Sequence, residues 1–368
     1  MEYTIKKENA IANRGNWSRL KKVMKRAQAG DKITLGFLGG SITQGCLASQ
    51  PNYCYAYRVY SWWCKTFPQA TFRYVNAGIG GTTSQFGVAR VEEDLLSSHP
   101  DFVITEFSVN DESNGHFCET YEGMIRCVYG AKEQPAILVV HNVYYDTGAN
   151  AQLQHAKVGR HYDLPCVSMQ SSIFPEVVAG HIDNRKITED NLHPNDLGHE
   201  LVAGVITGFL EQVLADLDTT ETEQPMPDPL TENGYEHSQR YRNNNSKPRL
   251  DGFKADREPQ DNITDVFKMG WYAQNTGDRI RFRLEGSGIA VQYRKAVAGG
   301  APKVRVVVDG DESHAVLLDG NFPGGWGNKL ELETLTEHGP VKEHTLELEI
   351  VEDGKRIPFY LVSVIVTR

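Results

Sequence analysis

Four short stretches of this 368-residue chain carry side chains and backbone groups suited to acyl transfer. The first is Gly39-Gly40-Ser41-Ile42-Thr43-Gln44-Gly45, directly after the apolar run Ile33-Thr34-Leu35-Gly36-Phe37-Leu38. A buried strand that ends in two glycines turns sharply. It presents the Ser41 hydroxyl at the strand's C-terminal edge, where open α/β sheets place their ligands. A serine hydroxyl is a weak nucleophile until a base takes its proton, and that base needs a partner fixing its tautomer. Asp190-Asn191-Leu192-His193 offers both. Three residues apart on one turn, Asp190 holds the Nδ1 proton of His193 and leaves Nε2 to face Ser41. Each stretch alone also has a bland reading, a serine in an ordinary turn and a common surface-loop tetrapeptide.

Acyl transfer also needs donors aimed at the developing oxyanion, each worth roughly 2.7–4 kcal/mol. Asn76-Ala77-Gly78-Ile79-Gly80-Gly81-Thr82-Thr83-Ser84 leaves a strand as a glycine-rich turn and offers the Gly81 N–H. Ser108-Val109-Asn110-Asp111 offers the Asn110 amide, and the N–H of Ser41 makes a third donor. The structural alternatives are a plain turn for the first segment and a helix cap for the second.

These stretches require elements to carry them. Apolar runs predict strands at residues 33–38, 72–76, 102–107, 136–140 and 166–169, alternating with helices at 16–30, 55–67, 84–96 and 195–217. A poorly defined helical stretch follows the third strand. This alternation predicts a parallel sheet with helices on both faces. The lysines and arginines of the first helix read as a solvated face. Thr219 onward is acidic, proline-rich and aperiodic, which predicts an extended connector. Beyond it, short alternating runs at 279–284, 289–293, 304–308, 314–318, 345–350 and 359–366 are separated by turn signals and predict an all-β sandwich. The expected division is a hydrolase-type domain over 1–218, a linker over 219–250 and a sandwich over 251–368.

Composition narrows the partners. A net charge of −10 argues against nucleic acid and anionic membrane surfaces, which select basic faces. The N-terminus lacks a signal-like apolar core and no run is long enough to span a bilayer, so a cytoplasmic location is expected. The six cysteines (46, 54, 64, 118, 127 and 166) show no CxxC pair and no metal-ligand spacing, so buried reduced thiols are expected and no disulfide framework. His141, His181 and His199 draw structural readings, because none has a second ligand at i+4. No cofactor or metal is implied.

Ser41 after a first strand, glycine after the second, asparagine after the third and Asp-x-x-His before the last helix, in that order, resemble the four blocks of the SGNH, or GDSL-like, hydrolases. The resemblance covers about residues 30 to 215. It implies a flavodoxin-like fold with Ser41 as nucleophile, Gly81 and Asn110 as oxyanion donors with the Ser41 N–H, His193 as base and Asp190 as its orienter. Two departures stand out. Gly-Gly-Ser-Ile replaces Gly-Asp-Ser-Leu, and Ser108 occupies a position usually held by glycine.

The pairing of such a domain with a C-terminal sandwich looks like the two-domain mannan acetylesterases of carbohydrate esterase family 17. That likeness implies removal of 2-O-acetyl groups from mannose in β-mannan oligosaccharides and a carbohydrate-binding-module-like sandwich. Asn321-Phe322-Pro323-Gly324-Gly325-Trp326-Gly327-Asn328 sets an indole in a glycine-rich loop. Trp326 is either a sugar-stacking platform, as an exposed aromatic suggests, or a plug folded back into the core. Two rivals remain, a lysophospholipase or thioesterase on the same scaffold and a catalytically silent carbohydrate-binding protein. The oligomeric state stays open, homo-oligomer included.

Overall fold

The computed structural model describes Tyr3, Ile5 and residues 7–368. The chain divides into two compact units, residues 1–233 and 234–368. The first holds β1 (Ile11–Asn13), α1 (Ser18–Gln28), β2 (Lys32–Gly39), α2 (Ser41–Gln44), α3 (Tyr55–Thr66), β3 (Thr71–Gly78), α4 (Ser84–Asp94) and β4 (Phe102–Glu106). It continues with α5 (Gly115–Tyr129), β5 (Ala136–His141), α6 (Gln152–His161), β6 (Cys166–Ser168), α7 (Ile173–Val178), α8 (Asn184–Ile187) and α9 (Asp196–Ala215). The sheet order is β1-β6-β5-β4-β2-β3. Strands β2 to β6 are parallel, and β1 closes one edge antiparallel to β6. Leaving β1 aside, this is the flavodoxin-like order, whose switch point falls between β2 and β4.

Parallel strands covered by helices on both faces need apolar side chains on both. All five residues of β4 and all six of β5 are buried. One face carries Phe37, Phe102, Ile104 and Leu138 into a core shared with Trp63 of α3 and Leu201, Val205 and Phe209 of α9. Each such side chain contributes about 1.5–3 kcal/mol of burial free energy. Asn195 accepts from Gly198 N and so caps α9 at the point where the chain leaves the His193 loop.

Several expectations need adjusting. The ill-defined stretch after the third strand is α5, fifteen residues long. The basic face of α1 is not simply solvated: Lys21 is 4% exposed. Its ammonium donates to Asp216 Oδ2 at 2.8 Å, Thr219 O at 2.8 Å and Glu221 Oε1 at 2.9 Å. All three protons are thereby used. Residues 219–233 have no regular structure but lie against the first unit. Glu221 also receives Trp17 N and Arg14, and Glu122 receives the amides of Leu230 and Thr231. All six cysteines are free, but only Cys54, Cys118 and Cys166 are buried; Cys46, Cys64 and Cys127 are half-buried.

The second unit starts with strands inside the stretch expected as linker. These are β7 (Gln239–Tyr241) and β8 (Arg249–Asp251), followed by β9 (Lys254–Ala255), β10 (Trp271–Ala273), β11 (Arg279–Gly286) and β12 (Gly288–Lys295). Then come β13 (Lys303–Val308), β14 (Val316–Asp319), β15 (Lys329–Thr336), β16 (Lys342–Glu352) and β17 (Phe359–Thr367). They form two antiparallel sheets, β15-β12-β17-β10-β9 with β7 beside β17, and β14-β13-β16-β11-β8. Along β11 the alternation is strict. Ile280, Phe282 and Leu284 enter the core, while Arg279 and Arg281 face out to Glu349 and Glu347 on β16. Among the described residues no helix is long and apolar enough to cross a membrane.

Candidate active site

The C-terminal ends of β2, β3 and β4 bring three of the four stretches together, and the loop before α9 brings the fourth. Ser41 is the first residue of α2, four residues long and ended by Gly45 at φ 102°. The turn into it is tight. The amide of Gly40 donates to Glu106 O at 3.3 Å, and a Cβ on Gly39 would lie 2.4 Å from that same carbonyl. The buried guanidinium of Arg90 donates to Ala77 O at 2.7 Å and Gly39 O at 3.2 Å, joining the ends of β2 and β3. Asn76 reinforces this link by donating to Thr43 O at 2.8 Å.

Ser41 is only 8% exposed, so its hydroxyl is offered to a neighbouring side chain rather than to open solvent. That neighbour is His193, whose Nε2 lies 2.8 Å from Ser41 Oγ. On the far side of the ring, Nδ1 lies 2.6 Å from Asp190 Oδ2. The other carboxylate oxygen accepts the amides of Leu192 at 3.0 Å and His193 at 2.8 Å. This hairpin of backbone works because Asn191 adopts φ 70°, a left-handed conformation asparagine tolerates better than most residues. The amide of Tyr145 holds Asn191 O at 2.7 Å. Burial opposes the charge on Asp190, but the His193 ring and the two amides outweigh it and bring the carboxyl down to about 2. Asp190 is therefore an anion throughout the range in which the ring needs it.

The expected oxyanion donors lie around the same serine. Asn110 packs beside Gly40: a Cβ there would fall 2.2 Å from Asn110 Oδ1 and 3.6 Å from Nδ2. A Cβ on Gly80 would fall 3.6 Å from Ser41 Cβ, so the glycine-rich turn also borders the nucleophile. In that turn Gly81 takes φ 67°, and Gly80 N donates to Gln44 Oε1 at 2.7 Å. The amides of Ser41 and Gly81 have no acceptor among the described residues. Gly40→Ala is therefore expected to displace the Asn110 amide and lower kcat on an acetyl ester about 100-fold, with KM little changed. Steady-state kinetics on the folded variant checks this.

Sequence reasoning left several neighbours of the site unassigned. His199, expected to be structural, is buried and held neutral by burial, its pKa pushed down to about 4. Its Nδ1 accepts Tyr55 N at 3.2 Å and its Nε2 faces Cys46 O at 3.1 Å, tying α9 to the loop after the nucleophile. Ser49 binds Asp196 with both its amide and its hydroxyl, at 2.7 and 2.6 Å. Asp111 accepts Ser84 N at 2.9 Å and faces His155 Nε2 at 2.9 Å, linking the Asn110 turn to the start of α4. Nothing local in the sequence marks these pairs, since their partners lie 27 to 153 residues away. No group of three His, Cys, Asp or Glu side chains suited to a metal ion occurs among the described residues. Trp326 belongs to the second unit, where its indole is 72% exposed and meets Phe322 edge-on at 6.3 Å. It is not a core plug.

Residues 37–201 match the model of the GDSL-like Lipase/Acylhydrolase family. A two-domain esterase active on acetylated mannans, co-crystallised with mannopentaose, is 59% identical to this chain, with a TM-score of 0.96 over 99% of this chain and 98% of that one. The chain belongs to the GDSL-like acylhydrolase family. A second crystal structure of a two-domain esterase active on acetylated mannans is 59% identical with a TM-score of 0.97, covering 99% of both chains. No curated protein sequence matches the chain. Like other members of this family, the protein is an ester hydrolase, and its two-unit build is that of the mannan-active esterases it resembles.

Proposed function

We propose that this esterase removes acetyl groups from acetylated β-mannan oligosaccharides, acting on 2-O-acetyl mannose through an acyl-enzyme formed on Ser41. The observation that carries the chemistry is the relay from Asp190 through His193 to Ser41, with contacts of 2.6 and 2.8 Å. The substrate class is supported by the 59% identical esterases active on acetylated mannans, one of them crystallised with mannopentaose.

In this mechanism His193 Nε2 takes the proton from Ser41 Oγ as that oxygen attacks the acetyl carbonyl. Asp190 holds the Nδ1 proton, fixing the tautomer and stabilising the imidazolium that forms. The tetrahedral oxyanion is received by the amides of Ser41 and Gly81 and by Asn110 Nδ2. Collapse breaks the bond to the sugar oxygen, which leaves with the proton from His193. Water, deprotonated by the same imidazole, then attacks the acetyl-enzyme and releases acetate. Trp326 serves as a sugar platform, because an exposed indole in a loop suits stacking on a pyranose face.

The test is to incubate the protein with acetylated manno- and xylo-oligosaccharides and follow acetate loss position by position by NMR. The 2-O-acetyl resonances of mannose are expected to disappear first. Faster loss from xylan, or a chain-length series in which long acyl esters outrun acetate, would replace this reading with a rival. Binding of manno-oligosaccharide without acetate release would mark a silent binding protein.

A further inference from the structure

Ser108 departs from the glycine usual at its position, and the structure gives that departure a physical context. It lies two residues before Asn110 in the turn that leaves β4, and it is fully buried. Its amide donates to Glu106 Oε1 at 3.1 Å, and its hydroxyl lies 3.0 Å from the same oxygen and 3.1 Å from Asn142 O. Its own carbonyl accepts Ala151 N at 2.7 Å. Every polar group of Ser108 is thus engaged, by the end of β4, the end of β5 and the start of α6. Glu106 is completely buried as well, and its Oε2 has no hydrogen-bond partner among the described residues. Its backbone carbonyl is the one that receives Gly40 N, next to the nucleophile.

We propose that Ser108 and Glu106 form a positioning pair that holds the Asn110 amide in register with Ser41. The inference rests on the oxyanion role assigned to Asn110 above. Glycine at 108 would keep the backbone bonds of the turn, including Ala151 N to the carbonyl of residue 108, and would lose only the side-chain link to Glu106 and to the end of β5. The hydroxyl adds a second bond to the carboxylate and a contact to the neighbouring strand. A buried carboxylate is costly unless hydrogen-bonded, so Glu106 is drawn towards Ser108 as firmly as Ser108 is drawn towards Glu106. Burial pushes the Glu106 pKa up to about 7, against the Ser108 bonds and the Asn142 side chain, which favour its charge.

A double-mutant cycle on full-length protein, read as kcat and KM on an acetyl ester, tests the pair. Asn110→Ala is expected to cost about 100-fold or more in kcat. Ser108→Ala in the otherwise native chain is expected to lower kcat about 10-fold with KM within 2-fold. In the Asn110→Ala background the same change is expected to alter kcat less than 2-fold, because the group being positioned is gone. Glu106→Gln, which keeps an acceptor for Ser108, is expected to retain kcat within 3-fold. Ser108→Gly provides the same comparison if the alanine variant folds poorly. An equal loss in both backgrounds would reduce the pair to a structural role and overturn the proposal, as would native kcat for Ser108→Ala. Native activity for Asn110→Ala would instead strike down the oxyanion reading itself.

Discussion

Ser41→Ala is expected to abolish hydrolysis of an acetylated sugar or of 4-nitrophenyl acetate, lowering kcat by about 10⁵-fold or more while leaving the fold intact. The size follows from the position of the hydroxyl. It sits 2.8 Å from the imidazole of His193, which is itself held by Asp190, on the first residue of a turn bordered by the Asn110 and Gly80 segments. Without the oxygen no acyl-enzyme forms, and the oxyanion donors retain only the modest acceleration they give to attack by water. The fold is insensitive because the hydroxyl's contact is with His193, whereas the turn is held by backbone bonds from Gln44 N to Gly40 O and from Gly45 N to Ser41 O. Unchanged circular dichroism and melting temperature, with loss of turnover, make the expected result. Retention of more than about 1% of native kcat would mean that another nucleophile carries the reaction.

Asp190→Asn is expected to cost about 10³- to 10⁴-fold in kcat with a much smaller change in KM. The side chains are of nearly equal volume, so the effect is one of protons. Asp190 can only accept, which obliges Nδ1 of His193 to carry the hydrogen and leaves the Nε2 lone pair for Ser41. An asparagine amide turned towards Nδ1 donates, and the ring then presents N–H to a hydroxyl it was meant to deprotonate. Because the Asp190 carboxyl is held at about 2, it stays ionised over the working range. The sign follows from linkage. A depressed carboxyl contributes stability above its unfolded value of about 3.9 and loses it only as pH falls through about 2, so its protonation does not shape the activity profile. The acid limb of kcat/KM should therefore have a slope of one, reflecting a single group other than Asp190. A slope of two would show that the carboxyl titrates alongside it, and a loss below 10-fold for Asp190→Asn would show that the ring is oriented some other way.

Much of this was legible before any coordinates, because the catalytic stretches sit where a buried strand ends and the chain must turn. The run from Ile33 to Leu38 followed by two glycines marks β2 and its loop, and the actual strand is longer by only a residue at each end. Helix α5 was obscure because ten of its fifteen residues are buried, among them Glu119 and Glu122. A helix wrapped on most sides by protein has no clean polar face to betray its period. Helix α6, Gln-Leu-Gln-His-Ala-Lys-Val-Gly-Arg-His, fails in the opposite direction, with too few apolar residues to mark one. Strand β15 alternates as Lys-Leu-Glu-Leu-Glu-Thr-Leu-Thr and is legible once turns are not required to bound it. Strands β7 to β10 are two or three residues long, and segments so short are set by pairing with distant strands rather than by their own residues. The supports of the site were invisible for a related reason. Ser108 could be seen to be unusual and Glu106 lies only two residues before it, but Asn142 becomes its partner only when the ends of β4 and β5 are side by side.

The short antiparallel strand β1 has a consequence for handling the protein. Its pairing with β6, Ile11 to Val167 and Asn13 to Cys166, occupies hydrogen-bonding groups that would otherwise form an open border of the sheet. A version trimmed past Asn13 would uncover them beside fully buried, β-prone residues, and such a border recruits strands from other molecules. Shortened forms should accordingly self-associate on concentration while keeping the catalytic groups, which lie two and more strands inward, in their places.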